Sequence, residues 1–201
     1  MKLIYKGKFD GNPASLPIRE HMPDSVKFKE FDNPTTLAIF ANILAVVITL
    51  VFLGVVFCIN FVNSNEGVHF GIAEIFALIL PMACLFPHEI LHGICFKETV
   101  YLYTNFSKGM LFVVGTETMS KARFVFMSIL PNFVFGILPL ILFFINNDWL
   151  CLGLFGAISL GMGAGDYYNI FNALTQMPKG ARTYLYQFNS YWYIPQGGQA
   201  D

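Results

Sequence analysis

Four long apolar stretches constrain this chain more than any other feature: residues 36–62, 70–96, 124–146 and 149–174. Each reaches the ~20 residues that an α-helix needs to cross the hydrocarbon core of a bilayer. Of the 201 residues, 55% are hydrophobic and only 12% are charged, far from the balance of a soluble domain of this size. The bilayer is therefore the expected solvent and the cell membrane the expected location. The first stretch follows more than thirty polar and proline-containing residues and has no small-residue cleavage site. It reads as a retained span, not a secretory signal. A net charge of −1 without a basic cluster argues against a nucleic-acid partner.

The basic residues orient the spans. Six precede the first stretch, four lie between the second and third, and two follow the fourth, which accounts for all 12. Lys and Arg are retained on the cytoplasmic side of short loops, so both termini are expected in the cytoplasm. The connection at 146–148 is so short that the third and fourth spans should form a tight antiparallel hairpin. Between the second and third spans, Val100 to Phe106 and Met110 to Val114 are rich in β-formers, and Ser107-Lys108-Gly109 supplies a turn. These features predict a β-hairpin over about 99–116 at the membrane surface. The segment 1–33 is too proline-interrupted to assign beyond short strands or loops.

The expected fold class is thus an all-α integral membrane protein, with four transmembrane helices and a small cytoplasmic β-hairpin between the second and third. A cytoplasmic segment (1–35) precedes the membrane domain (36–174), and a cytoplasmic tail (175–201) follows it.

Within the four stretches only Glu74, Glu89 and Asp166 carry a carboxylate, and only His88 and His92 an imidazole. An ionisable group at membrane depth is costly unless paired, hydrated or metal-bound, so each marks a candidate site. His88-Glu89-Ile90-Leu91-His92 is an HExxH motif. On a helix its first and last residues share one face, one turn apart, where two imidazoles can grip one ion. With four histidines and seven glutamates in 201 residues, chance would produce the motif on the order of a few times per thousand such chains. Zn²⁺ suits two neutral imidazoles plus a carboxylate, with a fourth position left for water. Glu89, about 100° around the helix from His88, sits at the edge of that face as a base for the water, not as a ligand.

Depth selects the third ligand. His88 and His92 lie 18 and 22 residues after Phe70, and Asp166 lies 17 residues after Trp149 on a helix expected to run in the same direction. At 1.5 Å per residue the three reach about the same level. Glu117, 25 residues after His92, and a cysteine such as Cys84 or Cys95 stay open as alternatives. Glu74, 14 residues before His88, is roughly 20 Å away along the helix and cannot reach the ion. Gly156, Ser159 and Gly163 share a face with Asp166 and allow close helix approach. Pro81, Pro87, Pro131 and Pro139 should kink their helices. Asn132, beside Pro131, is placed to bond a freed carbonyl or a substrate backbone. The four cysteines form no CxxC pair or disulfide framework and read as small hydrophobes. His21 and His69 lie outside the spans and read as solvated.

The HExxH near the cytoplasmic end of one span, Ala164-Gly165-Asp166 two spans later and Pro178-Lys179-Gly180-Ala181 beyond it resemble a family of bacterial membrane proteins classed as putative zincin peptidases. The resemblance covers roughly 37–182. The order of helices is also similar to the core of site-2 proteases, which implies a zinc-dependent intramembrane endopeptidase. On that resemblance His88, His92 and Asp166 are ligands and Glu89 the catalytic base. The site-2 pattern has Asp followed by Gly, whereas Asp166 is preceded by Gly165 and followed by Tyr167. The expected reaction is hydrolysis of a peptide bond in a membrane or membrane-proximal protein by metal-activated water. An extended substrate could add as a strand to an edge of the 99–116 hairpin. The rival expectation is a non-enzymatic zinc transporter or sensor built on the same ligands.

Overall fold

The computed structural model describes residues 1–63, 70–108 and 110–195. The turn expected at Gly109, the connection after residue 63 and His69 fall wholly or largely outside the described residues. Among the described residues three helices are long and apolar enough to cross a membrane, or four if one bent pair counts as a single span. They are α1 (Pro34–Asn63), α2 (Ile72–Ile94) and the continuous apolar run Lys121–Ile145. This last run comprises α3 (Lys121–Asn132), a π-helical turn (Phe133–Ile137) and α4 (Leu138–Ile145). The bent pair is α5 (Leu150–Met162) and α6 (Ala164–Gln176).

The all-α expectation is overturned. Among the described residues seven strands form two sheets, one of three strands in the order β1-β3-β4 and one of four in the order β2-β7-β6-β5. In the first, β3 (Thr99–Asn105) and β4 (Met110–Gly115) pair antiparallel, with Leu102 opposite Val113. These two strands occupy the segment read as a hairpin, but they are not alone: β1 (Lys2–Lys8) pairs parallel to β3 from the far end of the chain. The second sheet joins β2 (Val26–Lys27) and β5 (Met119–Ser120) to the hairpin β6 (Arg182–Tyr186) and β7 (Asn189–Tyr193). Four of the seven strands thus come from the two ends of the chain, of which the sequence offered the first as short strands or loops and the second as a tail. Phe9, Leu16, Tyr103 and Val114 form the core of the first sheet, where Phe9 meets Phe112 edge-on at 5.5 Å.

The fourth apolar stretch is not one straight helix. It bends by 54° between α5 and α6, at Gly163, which closes α5 and opens α6. A side chain at Gly163 would collide with the amide of Asn132 on α3, so glycine is the residue that admits both the bend and the neighbour. The helix α5 occupies the middle of the bundle, where Leu154, Ala157 and Leu160 pack with Val56, Ala77, Leu140 and Phe143. Gly153 and Gly156 lie against Phe143 and the backbone at Gly136 with no room for a Cβ, the close approach that small residues allow between helices. The outer faces of α1 and α2 stay apolar and exposed: Ile43, Leu50, Ile72 and Ile79 each leave more than 60% of their surface uncovered.

Candidate metal centre

His88 and His92 lie on the last turns of α2, one turn apart, and their Nε2 atoms converge to 3.1 Å. Asp166 enters from the first turn of α6, with Oδ2 3.1 Å from His88 Nε2 and Oδ1 3.1 Å from His92 Nε2. Because Gly163 starts a new helix, Asp166 stands at its positive end, where a carboxylate is favoured. His88, Glu89 and His92 offer ligand-type atoms within 4.8 Å of one another, and Glu89 and His92 are buried.

The groups around the centre suit a cation. His92 Nδ1 lies 2.9 Å from the Met127 carbonyl, which can only accept, so Nδ1 carries the ring proton and Nε2 of the neutral ring presents a lone pair. With the His88 proton likewise on Nδ1, two imidazole nitrogens and a carboxylate would direct electron pairs at one small volume, where a cation would be favoured. In a tetrahedral zinc site with bonds of ~2.0–2.1 Å, ligand atoms are about 3.3 Å apart. The observed 3.1 Å spacings match that edge length.

Two supports were hardly visible in the sequence. Pro131 has no N–H, so the Met127 carbonyl four residues earlier loses its helical donor and is free to accept from His92. Asn132 donates from Nδ2 to Asp166 Oδ2 at 2.7 Å and to the Ser128 carbonyl at 2.9 Å, while Tyr167 donates its hydroxyl to Asn132 Oδ1 at 3.2 Å. The proline rule pointed to the freed carbonyl. Nothing in the sequence tied Asn132 to Asp166, because they meet only through the bend at Gly163.

Two of the alternative third ligands, Glu117 and Cys95, are engaged elsewhere. Glu117 accepts from the Lys97 and Glu98 amides at 2.7 and 2.6 Å and pairs with Arg123 at 2.7 Å. Cys95 points its thiol at the Leu91 carbonyl, 3.5 Å away, and Cys84 lies one helical turn before His88. Glu74 caps the start of α2 by accepting from Gly71 N–H at 2.8 Å. His21, expected to be solvated, is exposed, stacks on Tyr186 at 3.8 Å and meets the Tyr184 hydroxyl at 2.9 Å.

Glu89 faces the first sheet, where its Oε2 accepts from Val113 N–H at 2.9 Å. That amide points away from β3. By strand alternation the N–H and C=O groups of Leu111, Val113 and Gly115 all lie on the free edge of β4. Beside this edge is a largely apolar cavity of about 410 Å³, bounded by the start of α1, by Tyr168 of α6 and by Thr183, Tyr184 and Leu185 of β6. Val113, Met127 and Gly165 belong to its wall and also adjoin Glu89, His92 and Asp166. Glu30 lines it too, accepting from Ser190 N–H at 2.5 Å, and burial raises its carboxyl above the ordinary range.

A family model described as "putative zincin peptidase" matches residues 81–182. The chain belongs to this family. The matched segment contains His88, Glu89, His92, Val113, Met127, Asn132 and Asp166. It omits α1 and the N-terminal strands. Zincin-peptidase membership makes zinc the implied ion and a metallopeptidase the implied class. No curated protein and no solved structure matches the chain.

Proposed function

We propose that this zincin-family protein is a membrane-embedded zinc endopeptidase that cleaves membrane or membrane-proximal proteins, with His88, His92 and Asp166 as ligands and Glu89 as the catalytic base. The observation that carries this reading is the meeting of all three ligand groups at 3.1 Å beside a carboxylate that is itself anchored to a free strand edge. A zinc ion held there would polarise the scissile carbonyl and lower the pKa of water. Glu89 would take the proton from that water and hand it to the leaving amine. The helical order, ligand histidines on one helix and the acid on a later one, is similar to the core of site-2 proteases.

An extended peptide added to β4 would take up the free edge groups of Leu111 and Gly115 and the Val113 carbonyl, and bring a main-chain carbonyl next to Glu89, which already holds the Val113 N–H. A helical segment hides its carbonyls, so the substrate must be unwound before cleavage, and the cavity along β4 suits apolar side chains. The one-sided distribution of Lys and Arg supports a multi-pass topology with both termini in the cytoplasm.

The test is Glu89→Gln. Cleavage of a reporter peptide or membrane substrate should fall by at least ~10²-fold, the scale for loss of a general base, while bound zinc stays at the wild-type level. Undiminished cleavage would remove Glu89 from the mechanism. Zinc uptake into proteoliposomes that requires His88 and His92, without cleavage, would favour a transporter.

A further inference from the structure

Two of the three ligand groups are held from behind by a protein partner, His92 by the Met127 carbonyl and Asp166 by the Asn132 amide. His88 differs. Its Nε2 faces the centre, and its Nδ1 makes no hydrogen bond to protein among the described residues. An imidazole that ligates through Nε2 carries its proton on Nδ1, and that N–H needs an acceptor to fix the ring.

A small cavity of about 10 Å³ adjoins His88 on the side of α5. Its wall includes Ser159 of α5, Cys84 of α2 and Phe135 of the π-helical turn. Ser159 is 6% exposed, and its Oγ is buried without a hydrogen-bond partner. His88 and Ser159, each with a polar atom that lacks a protein partner among the described residues, therefore border one cavity. The space is about what a single water requires, on the order of 10–15 Å³. The π-helical turn shapes this wall, and such turns recur at functional sites.

We propose that one ordered water binds between Ser159 and His88, accepting from His88 Nδ1–H and bonding to Ser159 Oγ, so that Ser159 is the positioning residue for His88. The proposal rests on the zinc reading above. It explains why a hydroxyl stands unpartnered in the core of the bundle, and it gives each ligand an outer hydrogen bond.

The experiment measures zinc affinity of the purified full chain by chelator competition, together with histidine ring ¹⁵N NMR. Ser159→Ala should weaken zinc binding by about 10-fold or more, the usual cost of losing such an outer partner. It should shift the His88 Nδ1 resonance and leave that of His92 in place. Ser159→Cys, which keeps a weak hydrogen-bonding group, should lie between the two. Cys84→Ala, which alters the same cavity without removing the hydroxyl, should bind zinc as wild type does. Unchanged affinity in Ser159→Ala, or an equal loss in Cys84→Ala, overturns the proposal. A wild-type chain that binds no zinc defeats the metal reading itself, a result distinct from either.

Discussion

Asp166 has two oxygens and three neighbours competing for them: His88, His92 and the Asn132 amide. The amide fixes which way the carboxylate faces, so Asn132 would act on a bound ion through Asp166. Asn132→Ala should weaken zinc binding by about 10–100-fold, measured by chelator competition. Tyr167→Phe, which removes only the bond to Asn132 Oδ1, should have a smaller effect. Wild-type affinity in Asn132→Ala would mean that Asp166 needs no such hold. The HExxH itself was legible because its geometry is local: residues four apart on a helix meet whatever the rest of the chain does. Asp166 was legible by depth along the membrane, although its helix is bent and not straight. Asn132 was legible only as a side chain near a proline, since its partner lies 34 residues away across the Gly163 bend.

At the level of elements, β4 links the base to the groove. Val113 N–H orients Glu89, and the neighbouring groups on the same edge are open to a peptide. Val113→Pro removes that N–H while leaving all three ligands untouched. Cleavage should fall by about tenfold or more with zinc content unchanged, and loss of zinc together with activity would show that β4 is needed for the fold of the centre instead. The propensity of 100–106 and 110–114 for strands could be read directly. Its partner β1 could not, because Lys2 pairs with Thr99 across the whole first span and second span, and a parallel pair leaves no turn signature. The same holds for β6 and β7 reaching β2 and β5. The break between α5 and α6 was missed because glycines at 161, 163 and 165 fit a close-packed straight span as well as a bend.

Across the whole molecule, the apolar outer faces of α1 and α2 are compatible with membrane insertion, and the candidate centre lies where α2 meets the first sheet. The chain should remain in the membrane fraction after an alkaline carbonate wash, and cysteines placed in either terminal segment should be labelled only from the cytoplasmic side. Release by carbonate would contradict the span assignment. A terminal cysteine labelled from outside would contradict the proposed topology. The proposed function turns on one ion shared by two helices. The most direct measurement is the zinc content of the purified wild-type chain beside Asp166→Ala, by elemental analysis after dialysis against a weak chelator. One zinc per wild-type chain, and loss of most of it in Asp166→Ala, is the predicted result. A wild-type chain without zinc, or Asp166→Ala with its full complement, would contradict the shared centre.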